Sequence, residues 1–542
     1  MPPKKHARTA SHDADPALSH PSTKRAKEID ADPPYHRLTS LLESTASSSK
    51  EPKNVLHWFR SKDIRMQDNR GLYAASRKAL EGKGKGSLLG LYVHSPKDLE
   101  WHGASPARVD FMLESLRLLK EELESKNIPL AIVTAEERKD VVPTVLEFVR
   151  KWDVSHVFAD MEYEVDELRR DISVAEKAKE AGWGFEVLHD QTVVQPGTLR
   201  TGNGGPHKVF TPYHKDWLGE TREKSELLEL VPEPEGNGEE ARGEFKELFG
   251  GEIPSLPSSK TFASDEERSR LRKLWPAGHA AGLQRCEDFL QNKVSSYATH
   301  RSEPAKDNSS RLSPYFATGT LSVREALHAA RKHNAGKHFH EGDKGIDSWV
   351  REIVFREFYR HTLVSLPHDS MNLPHNLKFD FVEWEEDEEG WRKWCEGRTG
   401  VPFVDAGMRQ LNCEKWMHNR CRMNVSSYLS GNLLIDYRKG ERYFAENLID
   451  FDLSNNTQGW EPSYTIFNPV VQAEKCDKEG EFIRKWVPEL AGLKGKEVFD
   501  PFHRLGREEF EELGYPEPHV DFRESSLRAK ERYKRDLAEA DP

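Results

Sequence analysis

Residues 450–469, DFDLSNNTQGWEPSYTIFNP, place two aspartates, an amide and a tryptophan where they can act together. Asp452, Asn456 and Trp460 are spaced i, i+4 and i+8, so in a helix they share one face. Carboxylates and a neutral amide on one face can hold the polar edge of a bound group, and an amide can donate or accept hydrogen bonds as that group changes state. For Asp450 and Asn456 the alternative is a helix cap or a satisfied buried polar group.

A second candidate site is the stretch NSSRLSPYFATGTLS at residues 308–322. Ser309, Ser310 and Ser313 offer hydroxyl donors, and Arg311 offers a fixed positive charge, just before a turn and the start of a helix. That combination is suited to holding phosphate. A simple helix N-cap is the alternative interpretation.

Two further stretches mix aromatic and charged residues. WVREIVFREFYRH (349–361) carries Glu352, Arg356 and Tyr359 on successive helical turns, and WMHNRCRMN (416–424) combines basic and aromatic side chains. The alternatives are a solvated charged face for the first stretch and, for the second, a helix with Trp and Met packed inward and its arginines in water. The other residues singled out in these stretches are Trp349, Phe355, Trp416, Asn419, Arg420, Arg422 and Met423.

The composition excludes several classes of protein. With 542 residues the chain is long enough for two or three domains, and 36% hydrophobic and 32% charged residues are typical of a soluble globular protein. No apolar run approaches the length of a membrane span, and five cysteines without a CxxC pair favour a reducing compartment and argue against a structural zinc site. Because the formal net charge is −12, any surface for nucleic acid must be a local patch.

The order of apolar runs and helical periods predicts two domains. Over residues 54–195, runs such as VLHWF, SLLGLYV, PLAIVTA and VSHVFAD alternate with helical segments, which predicts an α/β domain with a parallel, Rossmann-like sheet. Residues 196–268, rich in Glu, Lys, Gly and Pro, indicate an inter-domain linker on the surface. Periodic segments over residues 269–505 predict an all-α domain, followed by a charged helix or tail over 506–542.

The first fifty-three residues have the composition of a tail. Residues 1–53 are rich in Ser, Pro, Ala and charge, so we expect them to be disordered. The basic clusters Lys4-Lys5 and Lys24-Arg25-Ala26-Lys27 are either a nuclear-import address or part of a solvated tail. There is no apolar segment for secretion, and early acidic residues count against a mitochondrial presequence without excluding it. We expect a nuclear protein, with the mitochondrion as a second compartment.

Together, the order and spacing of these stretches resemble the cryptochrome/DNA photolyase family. HWFRSKDIRMQDNRGL, with one extra residue at Lys62, is similar to the family's entry strand, and KVFTPYHKDW is similar to its inter-domain segment. SSRLSPYFATG, EGRTGVPFVDAGMRQL, WMHNRCRM, LLIDYRKGERYF and FNPVVQAEKCDKEGEFIRKWVPEL resemble successive blocks of its flavin domain. The resemblance covers residues 54–505 and is closest to class I cyclobutane pyrimidine dimer (CPD) photolyases. The deciding block holds Met417, Asn419 and Met423, whereas (6-4) photolyases carry a His-His pair there.

The resemblance implies an antenna-binding α/β domain, an all-α FAD-binding domain, and repair of CPD lesions driven by blue light. Reduced FAD passes an electron to a dimer flipped out of the DNA, the cyclobutane ring splits, and the electron returns. The implied contacts with the FAD phosphates are Tyr297, Ser309, Ser310, Arg311, Leu312 and Ser313. The implied contacts with the rest of FAD are Trp349, Glu352, Arg356, Asn419, Asp450, Phe451, Asp452 and Asn456, the last facing flavin N5.

The resemblance also implies the contacts with UV-damaged DNA and the route of flavin photoreduction. The implied DNA and dimer contacts are Arg301, Glu352, Phe355, Arg356, Tyr359, Trp416, Asn419, Arg420, Arg422, Met423 and Gln472. Contacts between arginine and phosphate make binding salt-sensitive and largely independent of sequence. The implied electron route is Trp460, Tyr437 and Trp384, where the family usually has three tryptophans. Tyrosine is harder to oxidise without losing its proton, so this route should be slower or need a detour.

Two departures from the family pattern fall on the implied substrate cavity. The family usually has tryptophan at the position of Phe355, and the segment after Trp460, WEPSYTIFNP, is markedly shorter than in the family. The missing piece carries the second aromatic wall of the dimer pocket. The sequence therefore indicates an intact flavin site and an eroded dimer clamp, through either an artefact of gene assembly or a genuine loss of repair efficiency.

Alternatives remain both for the antenna chromophore and for the class of function. His102 and Glu167 match folate-binding members of the family, while Asp166 replaces the usual Asn. Methenyltetrahydrofolate, 8-hydroxy-5-deazaflavin and no antenna therefore remain open. Two function classes remain: a monomeric DNA repair enzyme, and a cryptochrome-type blue-light receptor without efficient repair. A nucleotide-binding protein of the same sheet class does not explain the helical half.

Overall fold

The computed structural model describes residues 18–45, 51–82 and 86–542. Helices of the N-terminal region and the α/β domain are α1 Thr23–Ala31, α2 Pro34–Thr45, α3 Arg70–Glu81, α4 Pro96–Trp101, α5 Pro106–Ser125, α6 Val141–Lys151 and α7 Val165–Ala181. The connecting segment carries α8 Phe210–Glu223, α9 Ala241–Glu244 and α10 Lys246–Phe249. The helical domain consists of α11 Asp265–Leu274, α12 His279–Asn292, α13 Val294–His300, α14 Ser313–Thr318, α15 Val323–His333, α16 Lys344–Ser365, α17 Glu388–Glu396, α18 Pro402–Glu414, α19 Asn419–Ser427, α20 Tyr437–Asn447, α21 Leu453–Gly459, α22 Pro469–Cys476, α23 Glu481–Trp486, α24 Pro501–Arg504 and α25 Arg507–Glu512, and the last helix is α26 Phe522–Glu539.

The α/β domain is built on a five-stranded sheet in which every pairing is parallel. Its strands are β1 Asn54–Phe59, β2 Leu88–His94, β3 Leu130–Thr134, β4 Val154–Asp160 and β5 Gly184–Leu188. The strands lie in the order β3-β2-β1-β4-β5, so the direction of winding reverses between β1 and β4. All residues of β1 and β4 are buried, as expected for central strands covered by helices on both faces. The predicted fold class is confirmed.

The predicted disorder of residues 1–53 is wrong for residues 18–45. Tyr35 and Leu38 of α2 are buried against α7, and Ser22 caps α1 by accepting a hydrogen bond from the Arg25 backbone N–H at 3.3 Å. His368 Nδ1 lies 2.6 Å from Asp30 Oδ2 and ties α1 to the helical domain. A few well-spaced apolar residues are enough here because they dock on a surface that is already folded. Residues 1–17, with Lys4 and Lys5, lie outside the described residues.

The segment predicted as a surface linker, residues 196–268, includes a buried helix. Tyr213 and Trp217 of α8 are fully buried in the helical domain. Further along, Asn237 joins the edge of β2, because its side chain exchanges hydrogen bonds of 2.8 and 2.9 Å with the backbone of Leu88. The segment therefore packs against both domains.

A buried carboxylate fixes this segment to α16. Glu357 accepts hydrogen bonds from the backbone N–H groups of Val193 and Val194 at 2.7 and 2.9 Å and from Trp217 Nε1 at 2.8 Å. Burial raises the pKa of Glu357 to about 7, and these N–H donors limit the rise. All these partners are donors, so the carboxyl oxygens accept from them and hold the end of the sheet domain against the helical domain.

The two domains also meet through a close backbone approach and buried charges. Gly319, in the left-handed conformation with φ +64°, lies so close to Lys62 that a Cβ would come within 1.8 Å of the Lys62 carbonyl oxygen. Ile64 donates its N–H to the Thr318 carbonyl at 3.2 Å, and Arg65 Nη1 donates to the Gly319 carbonyl at 2.9 Å. Arg324 of α15 pairs with Asp190 at 2.6 Å. The junction is thus fixed by hydrogen bonds and ion pairs as well as by apolar packing.

None of the helices in residues 18–45, 51–82 and 86–542 has both the length and the apolar character needed to cross a bilayer.

Candidate functional site

The turn before α14 gathers the predicted phosphate-binding residues. Ser309 Oγ accepts a hydrogen bond from the Arg311 N–H at 3.2 Å, and Arg311 has the left-handed φ of 51°. The Arg311 guanidinium is already engaged, since it pairs with Glu414 at 3.1 Å and lies 4.6 Å above the Trp416 ring. The hydroxyls of this turn are half-buried, so they, more than Arg311, are the groups offered to a ligand.

Aromatic residues support this turn from below. Tyr297 and Trp349 are buried on either side of Phe289, with ring centroids 5.5 and 5.2 Å from it. Trp416 Nε1 donates to Ser313 Oγ at 3.1 Å, which brings the block 416–424 to the serine turn. The structure therefore brings together three sets of predicted residues that are far apart in the sequence.

Helix α16 runs through the centre of the site. Arg356 donates to the Gln191 carbonyl at 2.9 Å and to the Phe316 carbonyl at 3.0 Å, and burial beside Arg360 lowers its pKa to about 9. Glu352 forms an ion pair with Arg301. Two of the predicted DNA and FAD contacts thus neutralise each other at the surface of the site.

Phe355 and Tyr359 form an aromatic wall on α16. Phe355 stacks on Phe210 of α8 with ring centroids 4.1 Å apart, and Tyr359 contacts Phe355 edge-on at 5.1 Å. Burial raises the pKa of Tyr359 to about 12. Where the resemblance implies a tryptophan, Phe355 fills the wall together with an aromatic residue of the connecting segment.

The two aspartates that open the 450–469 stretch are both paired with arginines. Arg422 Nη2 binds both oxygens of Asp450, at 2.7 and 3.0 Å. Asp452 forms a buried ion pair with Arg360 and also caps α21 by accepting the Asn455 N–H at 3.0 Å. Although burial opposes it, Arg360 and Arg356 hold the pKa of Asp452 below its usual range. Asp452 therefore stays charged inside the protein.

Helix α21 is shorter than the predicted face. It spans Leu453–Gly459, so Asp452 is its N-cap, Asn456 its middle and Trp460 its C-cap. Asn456 Nδ2 donates to the Glu441 carbonyl at 3.0 Å. The Asn456 side chain is half-buried and lines a groove. The alternative of satisfied polar groups thus describes Asp450 and Asn456 in the folded chain, and a ligand role for them stays a prediction.

The predicted electron-transfer residues fall into two groups. The rings of Trp384 and Tyr437 are 6.1 Å apart. Trp460 contacts Phe444 at 4.9 Å and Trp394 at 6.1 Å instead. Trp394 in turn stacks on Trp391.

The short segment after Trp460 is a loop anchored at both ends. Glu461 accepts hydrogen bonds from the backbone N–H groups of His375 and Asn376 at 2.8 and 3.2 Å. Phe467 donates its N–H to Ser427 Oγ at 2.9 Å. Between these anchors Tyr464 is half exposed and leans on Phe379 and Tyr533, away from Phe355.

The remaining predicted DNA contacts lie on α19 and α22. Asn419 begins α19 and is exposed, and Arg420 binds Ser302 Oγ at 3.0 Å and Met423 Sδ at 3.4 Å. Gln472 is half-buried on α22. Arg422 is committed to Asp450, so Arg420 is the arginine of this block that stands at the surface.

The predicted antenna residues lie at the carboxyl ends of the strands, where a doubly wound sheet binds ligands. A cavity of about 400 Å³ opens there beside the reversal between β1 and β4, and a groove of about 250 Å³ adjoins it. His102, Asp166 and Glu167 line both. Two arginines of the cavity keep buried donors without a hydrogen-bond partner among the described residues: Arg60 Nε and Nη2, and Arg108 Nε.

The His102–Glu167 pair gives a pH-dependent prediction. The two side chains are 3.0 Å apart, and although burial opposes it, the Glu167 carboxylate raises the pKa of His102 to about 9. Because the folded-state pKa is raised, the stability from this pair is complete below pH 6.5 and disappears as pH rises through about 9, a change of at most about 3 kcal/mol.

A proton NMR titration should therefore place the His102 pKa near 9. In Glu167→Gln the His102 pKa should fall, because burial remains and the nearer of two attracting carboxylates is gone, while Asp98 stays 3.7 Å away. A pKa unchanged by Glu167→Gln would show that the pair is not formed.

Several functional partners escape sequence reasoning. Arg360, Arg138 and Trp394 contact predicted site residues from distant elements, and Trp391 stacks on Trp394. Trp391 and Trp394 carry a sequence signal, since two tryptophans spaced i, i+3 in GWRKWCEG share a helix face. Arg360 and Arg138 carry none, because an arginine in a charged helix is ordinary.

The donor set of the central site fits a flavin dinucleotide. The hydroxyls of the turn suit phosphates, and carboxylates beside arginines suit the polar edge of a flavin. Buried Asn308 Nδ2 and Asn455 Oδ1, next in sequence to these groups, have no hydrogen-bond partner among the described residues. Leaving such an amide atom unpaired costs about 1–3 kcal/mol, and a bound polar group would remove that cost.

Comparisons with known proteins agree with this reading. A family profile described as DNA photolyase matches residues 55–235, and one described as the FAD binding domain of DNA photolyase matches residues 349–535. The chain is 41% identical over 531 residues to the deoxyribodipyrimidine photo-lyase of Neurospora crassa, covering 93% of this chain and 86% of that protein.

Two crystal structures share the fold. A bacterial class III photolyase from Agrobacterium tumefaciens superposes with a TM-score of 0.74 at 28% identity, covering 91% of this chain and 99% of that chain. An archaeal photolyase from Sulfolobus tokodaii, described with two FAD molecules, superposes with a TM-score of 0.68 at 27% identity, covering 89% and 99%. The resemblance read from the motifs is confirmed.

Proposed function

Because this chain belongs to the DNA photolyase family, we propose that it uses light absorbed by bound FAD to repair cyclobutane pyrimidine dimers in UV-damaged DNA. The observation that carries the proposal is that α16 reaches two parts of the central site: Arg356 donates to the Phe316 carbonyl in the helix after the serine turn, and Arg360 pairs with Asp452. When bound, FAD supplies light absorption and the reversible gain and loss of one electron.

The chain's own residues hold the cofactor and exclude water. The hydroxyls of Ser309, Ser310 and Ser313 would take the phosphates, with backbone N–H groups of the turn beside them. Asp450 and Asp452, each paired with an arginine, would orient the flavin edge, and Asn456 would meet it with a neutral amide. Fixed polar groups in a dry site need no rearrangement when charge moves, which favours electron transfer over side reactions.

The substrate would enter beside the aromatic wall of Phe355 and Tyr359. A dimer flipped out of the duplex has two faces to stack, and stacking contributes about 1–3 kcal/mol per base. Glu352, paired with Arg301, would lie at the same mouth, and Arg420 would face the DNA phosphates. By the family resemblance, the short loop 461–468 would leave one side of this mouth without its second aromatic wall.

The test is repair of a thymine-dimer oligonucleotide under anaerobic blue light with dithionite-reduced protein. Dimers should disappear in the light and persist in the dark. A flavin-bound, reduced protein that repairs nothing would overturn the proposal. It would favour a cryptochrome-type light receptor, the second candidate, which the shortened loop 461–468 supports.

We further propose that the strand-end cavity binds an antenna chromophore. Its unpartnered Arg60 and Arg108 donors suit a ring system with carbonyl or anionic oxygens, and its volume is that of a small-molecule site. Titration of the purified protein with a deazaflavin, a flavin and a methenyl folate would identify the ligand by its fluorescence. Binding that is unaffected by Arg60→Met would rule out this cavity.

For localisation we propose the nucleus. Lys24, Arg25 and Lys27 are exposed on α1 while Ala26 between them is buried, so the basic cluster is accessible in the folded chain. A fluorescent fusion should lose nuclear enrichment on replacement of these three residues by alanine. Unchanged enrichment would assign import to other signals. We also propose a monomer, which light scattering would check.

A further inference from the structure

Tyr437 is poorly placed to relay an electron. It is buried, and its hydroxyl has no hydrogen-bond partner among the described residues. A phenol is oxidised readily only when its proton can leave, and no base accepts the Tyr437 proton. Burial also raises the pKa of Tyr437 well above its usual range. The implied route through Trp384 and Tyr437 is therefore blocked at its middle member.

A second series of contacting aromatic rings starts at Trp460. Trp460 meets Trp394 with ring centroids 6.1 Å apart, and Trp394 stacks on Trp391 at 5.4 Å with planes inclined by 17°. Trp394 is fully buried, whereas Trp391 is half-buried at the surface of α17. Three tryptophans in contact thus lead from the interior to solvent.

The indole N–H groups suit this direction of transfer. Trp394 Nε1 donates to the Val425 carbonyl at 3.0 Å, and a carbonyl is too weak a base to remove the proton. An oxidised Trp394 therefore keeps its proton and is reduced by an electron from the next ring. Trp391 meets water, which can take its proton. The Lys439 ammonium, 6.0 Å from the Trp391 ring, opposes oxidation there, but it pairs with Glu388 at 3.1 Å.

We propose that the electron that reduces the flavin travels from Trp391 through Trp394 to Trp460, and not through Trp384 and Tyr437. The proposal rests on the proposed function in one respect, that Trp460 lies beside the bound flavin. Trp460 gives one electron to the light-excited oxidised flavin. Trp394 then gives one electron to the oxidised Trp460, and Trp391 gives one to the oxidised Trp394. Trp391 then loses its indole proton to water. An external small thiol returns one electron and one proton to Trp391 and is itself oxidised.

The test compares single variants of both aromatic series. Trp391→Phe and Trp394→Phe alter the proposed series, and Tyr437→Phe and Trp384→Phe alter the other. Flavin photoreduction is followed by absorption in the presence of a thiol, and the radical is identified by transient absorption and electron paramagnetic resonance. Trp391→Phe and Trp394→Phe should lose most photoreduction, while Tyr437→Phe and Trp384→Phe keep it. The wild-type radical should be a neutral tryptophanyl that disappears in Trp391→Phe. A tyrosyl radical, or loss of photoreduction in Tyr437→Phe alone, would overturn the proposal.

Folding and repair are checked separately. Trp391 is half-buried, so its variant should keep the wild-type flavin content and melting temperature, which separates loss of the relay from misfolding of the buried Trp394 variant. If the flavin is photoreduced through this aromatic series but the dithionite-reduced protein repairs no dimers, only the repair function is refuted. A protein that folds but binds no flavin refutes both, because Trp460 then has no acceptor.

Discussion

Replacing Arg360 with methionine should lower the free energy of unfolding by about 3–5 kcal/mol, because it leaves the Asp452 carboxylate buried without its partner. Both side chains are 2% exposed, so water cannot replace the lost charge. Arg360 also donates to Gln191 Oε1 and to the Arg356 carbonyl, each at 3.1 Å, and those acceptors lose a donor as well. Urea unfolding and the flavin content of the purified variant measure the effect.

The matched control for Arg360→Met is Arg37→Met. Arg37 pairs with Glu176 at 2.6 Å, but the two side chains are 59% and 42% exposed, so the loss should be only about 0–1 kcal/mol. Adding Asp452→Asn to Arg360→Met should recover part of the stability, since no unpaired charge then remains. The deficit of Arg360→Met should also shrink as pH falls, because the unpaired Asp452 takes up a proton. Equal losses in Arg360→Met and Arg37→Met would contradict a buried pair.

Replacing Gly319 with alanine should cost about 3 kcal/mol or more, from left-handed backbone strain and from a clash between domains. The added Cβ would lie 1.8 Å from the Lys62 carbonyl oxygen and 2.7 Å from the Asp63 nitrogen. Both are backbone atoms, so the helical domain and the end of β1 must move apart. We expect a lower melting temperature and a looser junction, seen as faster amide hydrogen exchange at Ile64 and Arg65.

Gly336→Ala separates the two contributions. Gly336 has a similar φ of +76°, but a Cβ there would meet nothing within 4 Å. Its replacement should therefore cost only the strain, about 1–2 kcal/mol. If Gly319→Ala proves no worse than Gly336→Ala, the domains do not approach each other as closely as described.

The sheet and the helical half were predictable because their apolar patterns are local. Each central strand is buried on both faces, so it appears in the sequence as a short run made mostly of apolar residues, and α16 appears as a helical period of aromatics. The N-terminal helices α1 and α2 were missed because their few apolar residues are stable only against α7 and residues 367–370. Composition measures what a segment can bury by itself, not what a neighbour can bury for it.

The types of site residues were predictable, but their partners were not. Arg360 lies 92 residues from Asp452 and Arg422 lies 28 residues from Asp450, so only the folded chain pairs them. The consequence is chemical: carboxylates that the sequence offers as free ligands are already paired with arginines. Likewise, the substitution at Tyr437 indicated a detour, but only the contact of Trp460 with Trp394 shows where one begins.

The loop 461–468 has a consequence for engineering. Glu461 holds its first end to residues 375–376, and Phe467 holds its last end to Ser427, so the strain of an insertion would stop at these two anchors. Ser463, Tyr464 and Thr465 between them are exposed, as at sites where proteins accept extra residues. A new aromatic wall could be grafted there without touching the arginines that hold Asp450 and Asp452. The segment that the family motifs predict to be shortened is thus also the part most easily rebuilt.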